Sequence, residues 1–323
     1  MMGCKDPNKT TGIRESSPGT IHIGVNPWPG YLGLYLAEKK KFFAEEGLDV
    51  VIKNYGTLAE LREAYVAGSL QGCGTPVVDA VKYQKEGVDH RIILALDFSN
   101  GSDAVVAKES IAGPSDLIGK RIAFEPGSVT EFHLSYVLQQ YGHTLKDIIP
   151  VHAGTQSALT LLLEGEVDAS VTYEPHLSKI LESGGFHVIY SSREAPGLIL
   201  DALSLKKDFI DTYPDAALRL AKAYFKALDF IRENPTESHS LLASLWRTSP
   251  ETIKIQLEGV QIPDFRENLN TFAVGSSVQS IYGNTRRVHE YISRNFNWLQ
   301  PFDQDAIIDR SILRRLRRGN SIP

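Results

Sequence analysis

Asp97–Val106, DFSNGSDAVV, is the stretch on which the reading of this chain turns. Strand-like apolar runs flank it, Arg91–Leu96 before and Ala104–Ala107 after. Its middle holds only Ser, Asn, Gly and Asp, residues that accept turn geometry and offer side-chain hydrogen bonds. Such a turn is either a surface loop or a crossing between two folded units with a ligand held at the crossing, and the sequence on either side favours the crossing.

Upstream, strands and helices alternate. Thr20–Asn26 alternates apolar and polar residues as a strand and runs into the rigid turn Pro27-Trp28-Pro29-Gly30. Leu32, Tyr35, Leu36 and Ala37 then form a helical stripe ending near Phe43, and Leu48–Lys53 reads as a second strand. Thr57 with Glu60 is a capping box that opens a helix, and Gly68 is placed to stop it. A short segment to Cys73 leads into Gly74-Thr75-Pro76 and a further helix. This alternation predicts a largely parallel sheet covered on both faces.

Downstream the order repeats: strand Lys120–Glu125, turn Pro126-Gly127-Ser128, helix Val129–Tyr141, strand Ile148–His152, helix Thr155–Glu164 and strand Val167–Val171. Gly56-Thr57 and Gly154-Thr155, Gly68 and Gly165, and Pro76 and Pro175 are separated by 98, 97 and 99 residues. Equal offsets with one element order imply two related α/β lobes. Phe186–Tyr190 closes the second, and Leu200–Leu205 is expected to return to the first. From Tyr213 the chain becomes helical, with Pro214 at a helix start, a capping box at Thr248 and Glu251, and further helices near Val278–Asn295 and Asp305–Arg318 packing on the first lobe. The expected division is a tether over 1–19, lobe 1 over 20–102 and 197–323, and lobe 2 over 103–196.

With 323 residues the chain can bury a substantial core, and 42% hydrophobic with 23% charged residues are ordinary globular values. A net charge of −5 argues against a general nucleic-acid binder, and Arg314, Arg315, Arg317 and Arg318 read as a solvated helix face. No apolar run approaches the ~18 residues that span a bilayer. Two cysteines, Cys4 and Cys73, exclude a disulfide framework and a multi-cysteine metal site. Met2-Gly3-Cys4, followed by the Ser-, Thr-, Pro- and Gly-rich Lys5–Thr20, resembles the end of a bacterial lipoprotein signal, which makes Cys4 a lipidation candidate on a flexible tether.

In an open α/β sheet, ligands bind outside the carboxyl ends of the strands. Here those ends are Pro27–Tyr31, Gly74–Pro76, Asp97–Asp103, Pro126–Thr130, Thr172–Glu174 and Asp201, facing one another across the groove. Trp28, Tyr31 and Tyr173 would wall it, and Thr75, Ser99 and Asn100 would orient a small polar solute. Backbone N–H groups at Ser128, Val129 and Thr130 would either hold an anion or belong to a self-capped helix. Asp103, Glu174 and Asp201 would suit a cationic group if they converge, and otherwise cap turns or face water. HExxH, G-x-S-x-G, Walker and dinucleotide motifs are all absent, so neither catalysis, a cofactor nor a metal is expected.

The runs IHIGVNPWPGYLGLYLAEKKKFFAEEGLDV, GSLQGCGTP, DFSNGSDAVVA, DLIGKRIAFEPGS, LLLEGEVDASVTYEP and EAPGLILDAL, in that order over roughly residues 20–300, resemble the substrate-binding proteins of nitrate/sulfonate/bicarbonate-type ABC importers, a group that includes thiamine-precursor binders. The resemblance implies a periplasmic-binding-protein fold, with two lobes joined by crossovers and a solute clamped between them. The implied partners are an ABC permease and ATPase, the implied place is the periplasm or cell surface, and a monomer is expected. SNGSD followed by EAPGLILDAL is similar to members found beside urea- and guanidine-handling genes. Taurine-like sulfonates, guanidine- or urea-like solutes and aminopyrimidines all remain open, as does a sensing module with a separate partner. The family's pyrimidine synthases rely on a cysteine-rich motif that is absent here, where Cys73 stands alone.

Overall fold

The computed structural model describes residues 17–296, 298 and 302–319, so Cys4 and most of the expected tether lie outside the described residues. The chain runs β1 (Thr20–Val25), α1 (Leu32–Lys39), α2 (Phe42–Glu45), β2 (Asp49–Asn54), α3 (Leu58–Val66), β3 (Gly72–Pro76), α4 (Val77–Lys85) and β4 (His90–Ser99). It continues through β5 (Asp103–Lys108), β6 (Arg121–Phe124), α5 (Val129–Gln140), β7 (Ile149–His152), α6 (Thr155–Leu163), β8 (Ala169–Tyr173), α7 (His176–Glu182) and β9 (Phe186–Ser191). Then follow β10 (Leu200–Lys206), α8 (Lys207–Thr212), α9 (Pro214–Glu233), α10 (Pro235–Trp246), α11 (Pro250–Glu258), β11 (Val260–Gln261), α12 (Phe265–Thr271), α13 (Ile281–Phe296) and α14 (Ser311–Arg318).

Two sheets organise these elements. One has the order β11-β4-β10-β3-β1-β2 and the other β7-β6-β8-β5-β9. Apart from β11 they are the same arrangement, because β2-β1-β3-β10-β4 maps onto β7-β6-β8-β5-β9. The fourth strand is antiparallel in each: β10 runs against β3 and β4, and β5 against β8 and β9. Each sheet therefore receives that strand from a crossing segment, β5 after β4 and β10 after β9. The duplication reaches local detail, since Gly68 (φ +80°) and Gly165 (φ +78°) end α3 and α6 in the left-handed conformation that glycine adopts at least cost.

Core packing follows the sheets. One continuous apolar cluster joins the first sheet to α1, α4, α9 and α13, while the second sheet has a separate cluster on each face. Isoleucine, leucine and alanine fill β4 from Ile92 to Leu96, as expected for a strand covered on both sides. Helix α9 packs on α1, α2 and α14, which places the helical C-terminal region on the first lobe.

Several local expectations need correction. Asp97, Phe98 and Ser99 belong to β4 and Asp103 to β5, so the quoted turn shrinks to Asn100–Ser102. The single helix expected up to Phe43 is two, broken by Lys41 in the left-handed region (φ 63°). The cap of α11 is Ser249, whose Oγ accepts from Thr252 N at 3.0 Å, and not Thr248. Three-residue turn signals locate an element well but do not decide which neighbouring hydroxyl reaches the free amide.

Candidate ligand site between the two sheets

A narrow cavity, with about 10 Å³ open to the centre of a water-sized sphere, lies where the two sheets face each other. The first lobe contributes Asn26 and Trp28 after β1, Leu58 at the start of α3 and Pro76 at the end of β3. The second contributes Asp103, the first residue of β5, Val129, the first of α5, and Tyr173, the last of β8. Ile199 and Asp201 come from the return crossing. The strands that line it reach it by their ligand-binding ends, β3 and β8 by their carboxyl ends and the antiparallel β5 and β10 by their amino ends. Asp103 and Tyr173 are register partners, and the rings of Trp28 and Tyr173 meet edge to face at 6.1 Å and 84°.

Behind the wall stands a pair of carboxylates. Asp97 and Asp201 are register partners on β4 and β10, and both are buried. The turn after β1 holds them: Trp28 Nε1 donates to Asp97 Oδ2 at 3.0 Å, and the Tyr31 hydroxyl donates to Asp201 Oδ2 at 2.5 Å. Gly30 permits this fit, because a Cβ there would lie 2.0 Å from Asp97 Oδ2 and 2.5 Å from Trp28 Nε1. Asp97 Oδ1, Asp103 Oδ2 and Asn26 Oδ1 are buried acceptors without a hydrogen-bond donor among the described residues. Burial pushes the Asp103 carboxyl up to about 7, against the pull of a bond to Ser99 and with a push from the Glu174 charge. Burial likewise raises Asp97, opposed by the Trp28 bond, and raises Asp201 well above the usual carboxylate range with the charge of Asp97 adding to it.

Of the residues singled out in the sequence, Trp28, Asp103, Val129, Tyr173 and Asp201 line one cavity, and Tyr31 supports Asp201 from behind. Thr75 is fully buried at a β3 position paired with Ala202 of β10. The others are occupied elsewhere. Ser99 Oγ lies 2.8 Å from Ser192 Oγ and accepts the Asp103 amide at 3.2 Å, so it ties the two crossing segments together. Asn100 is exposed beside a different, solvent-open hollow of about 630 Å³ lined by residues of α12 and the segment after it. That hollow is larger, but the second lobe's sheet contributes nothing to it, so the smaller space between the sheets is the better clamp.

The turn before α5 is self-capped. Ser128 Oγ accepts the Thr130 amide at 3.1 Å, Thr130 Oγ1 accepts the Glu125 amide at 3.0 Å, and Glu131 Oε2 accepts the Gly127 amide at 2.5 Å. With the Ser128 amide given to Glu125 O at 3.3 Å, Ser128 and Thr130 shape the turn, and of the three amides named for an anion only that of Val129, at the cavity wall, has no acceptor among the described residues. Glu174 also turns to its own helix, accepting from Ser178 N at 3.2 Å and Ser178 Oγ at 2.9 Å. Asp97, Asn26, Leu58, Pro76 and Ile199 were not singled out as site residues. Asp97 carried a visible signal, an acid at the end of the otherwise apolar run IILAL, while the apolar residues carried none. Cys73 is buried and its thiol is raised by burial, which disfavours the thiolate a nucleophile needs. No group of three acidic, histidine or cysteine side chains among the described residues is placed to hold a metal ion.

Residues 28–238 match the family described as NMT1/THI5 like. The chain is 25% identical over 228 residues to the taurine-binding periplasmic protein of Escherichia coli, covering 68% of this chain and 67% of that one. It is 26% identical over 181 residues to an Escherichia coli protein named as an aliphatic sulfonates-binding protein, covering 54% of this chain and 56% of that relative. The crystal structure of the periplasmic aliphatic sulphonate binding protein of Escherichia coli superposes with a TM-score of 0.76 at 19% identity, over 92% of this chain and 99% of the other. The paired sheets, the two crossings and the match over residues 28–238 lead to one conclusion: the chain belongs to the NMT1/THI5-like family and has the α/β fold of its periplasmic binding proteins.

Proposed function

We propose that this protein is the extracytoplasmic solute-binding component of an ABC importer, which clamps a small polar solute between lobe 1 (20–102 and 197–323) and lobe 2 (103–196). The observation that carries this reading is the narrow cavity lined by both lobes and by the return crossing. A solute there touches both lobes, so its binding energy favours the closed arrangement, and hinge rotation at the two crossings would release it. The named relatives bind taurine and aliphatic sulfonates, which supports a solute of that size class. A permease and ATPase would receive the closed form, and lipid on Cys4 would keep the receptor at the membrane.

Ligand-induced stabilisation tests the reading directly. A solute held only by the folded state raises the melting temperature in proportion to its saturation. A thermal-shift panel of taurine, alkanesulfonates, nitrate, bicarbonate, guanidine, urea and thiamine precursors should give at least one shift confirmed by calorimetry. The same solute should reduce the radius of gyration in scattering. A panel without a single binder would remove the receptor reading.

A further inference from the structure

We propose that the cavity selects a small organic cation rich in N–H donors, with Asp97, Asp103 and Asp201 as the residues that determine its charge. This rests on the clamp reading above and narrows the class of solute. The three aspartates are buried: Asp103 of the second lobe and Asp201 of the return crossing line the cavity, and Asp97 stands behind it as the register partner of Asp201. Asn26 points to the same chemistry independently. It lines the cavity, is 3% exposed, and its carbonyl oxygen has no donor among the described residues. Asp103 Oδ2, also at the cavity wall, has no donor either, and neither has Asp97 Oδ1 behind it. Two unmet acceptors at the wall, backed by a third, call for a ligand that brings donors.

The cavity has little to offer an anion. No lysine, arginine or histidine lines it, the Trp28 N–H is already given to Asp97, and the amides of Gly127 and Thr130 are capped from within. A sulfonate or nitrate would meet acceptors instead of donors. A metal ion is equally unsuited, since the carboxylates are spread around a space and do not converge on a point. The edge-to-face rings of Trp28 and Tyr173 add polarisable walls that attract a delocalised cation. Size limits the choice further: only about 10 Å³ between the sheets is open to the centre of a water-sized sphere, so the occupant must be small and the lobes must part to admit it.

Three planar solutes of similar shape and different charge make the test: guanidinium, urea and nitrate, with methylammonium, taurine and ethanesulfonate beside them. Calorimetry at pH 7.5 on the full chain should find guanidinium or another cation bound at least about tenfold more tightly than its neutral or anionic counterpart. Asp103→Asn should weaken that cation roughly ten- to a hundredfold, the range of a hydrogen bond to a charged group. The ligand-free variant should melt no lower than wild type, because the amide is neutral without having to hold a proton. Tight binding of nitrate or ethanesulfonate with no cation bound would overturn the inference and leave the clamp standing. Binding by none of the six would sink the inference and leave the clamp to the wider panel, and an unchanged cation affinity in Asp103→Asn would refute the assigned role of the acids.

Discussion

Asp97 on β4 and Asp201 on β10 are register partners of an antiparallel pair, and a single turn restrains both, through Trp28 Nε1 on one and the Tyr31 hydroxyl on the other. Like charges directly opposite each other in a sheet destabilise it, and burial magnifies the effect. The empty protein resolves the conflict by keeping protons on the cluster, whereas a bound cation would let those protons leave.

That conflict predicts a pH dependence. Asp103 is raised to about 7, and Asp97 and Asp201 are raised too, all by burial first. A carboxyl whose folded value lies above its unfolded one adds stability at pH below the unfolded value and loses it as pH rises through the folded value. The ligand-free protein should therefore melt at lower temperature as pH climbs from about 6.5 to 8.5. Its stability should fall by about 1.4 kcal/mol per pH unit for each proton the folded form retains. Buried His90 and His133 are lowered to about 4, so their effect, lost as pH falls below the ordinary histidine value, lies under this window. Glu125, raised to about 7, acts in the same direction as the aspartates, so the slope should flatten in Asp103→Asn without vanishing. A rising melting temperature over this range would contradict the raised carboxyl values.

Gly30 should tolerate no side chain. The Cβ of Gly30→Ala would fall 2.0 Å from Asp97 Oδ2, so the Trp28–Asp97 bond and the first cavity wall must move. Overpacking of this kind costs about 1–3 kcal/mol. The variant should lose roughly that much stability in urea titration and bind solute at least about tenfold more weakly. Gly113→Ala, where a Cβ meets nothing within 4 Å, is the matched control and should change neither. Equal behaviour of the two variants would show that the turn does not position the carboxylates.

How much of this was visible beforehand depends on whether the signal was periodic or three-dimensional. The repeat of Gly68 and Gly165 and the matching strands are periodic, so the duplicated α/β architecture was legible. The exit of β1 at Trp28 and the entry of β10 at Asp201 were legible for the same reason, because strand ends are where such sheets bind ligands. The fate of each polar group at those ends was not. Ser128, Thr130 and Glu174 satisfy neighbours within five residues of themselves, while Asp103 and Asn26 each keep an oxygen unpartnered, and spacing alone cannot separate the two outcomes. Asp97 escaped notice because the turn was drawn too long, which made it look like a loop acid when it is a buried strand residue.

Ser192 should prove to be the joint between the crossings. Its Oγ accepts the Gly101 amide at 2.7 Å and lies 2.8 Å from Ser99 Oγ, so one hydroxyl serves both connections. Ser192→Ala would leave the half-buried Gly101 amide without its acceptor, a loss of about 1 kcal/mol. Urea midpoints should fall accordingly, and amide exchange at Gly101 should accelerate. Unchanged exchange there would mean that the crossings are held by β11, whose neighbour Gly259 accepts the Asn100 amide at 2.8 Å.

The lobes also meet on the side away from the crossings. Lys82 of α4 donates from its ammonium group to the carbonyl of Gly127, in the turn before α5, and the rings of Phe132 and Tyr291 meet at 5.0 Å. A charged donor on a half-buried carbonyl contributes about 1.5–3 kcal/mol. The contact exists only while the lobes are together, so its whole effect falls on the balance between closed and open forms. Lys82→Met keeps most of the stem and removes the donor. Without ligand, this variant should scatter with a larger radius of gyration than wild type, and saturating solute should restore compaction. Solute affinity should drop by roughly tenfold, the amount by which such an energy shifts a two-state balance. The melting temperature of the separate lobes' cores should scarcely respond, since Lys82 is absent from all three apolar clusters. Equal radii and equal affinity would assign closure to the Phe132–Tyr291 contact, and Phe132→Ala would then be the variant that opens the clamp.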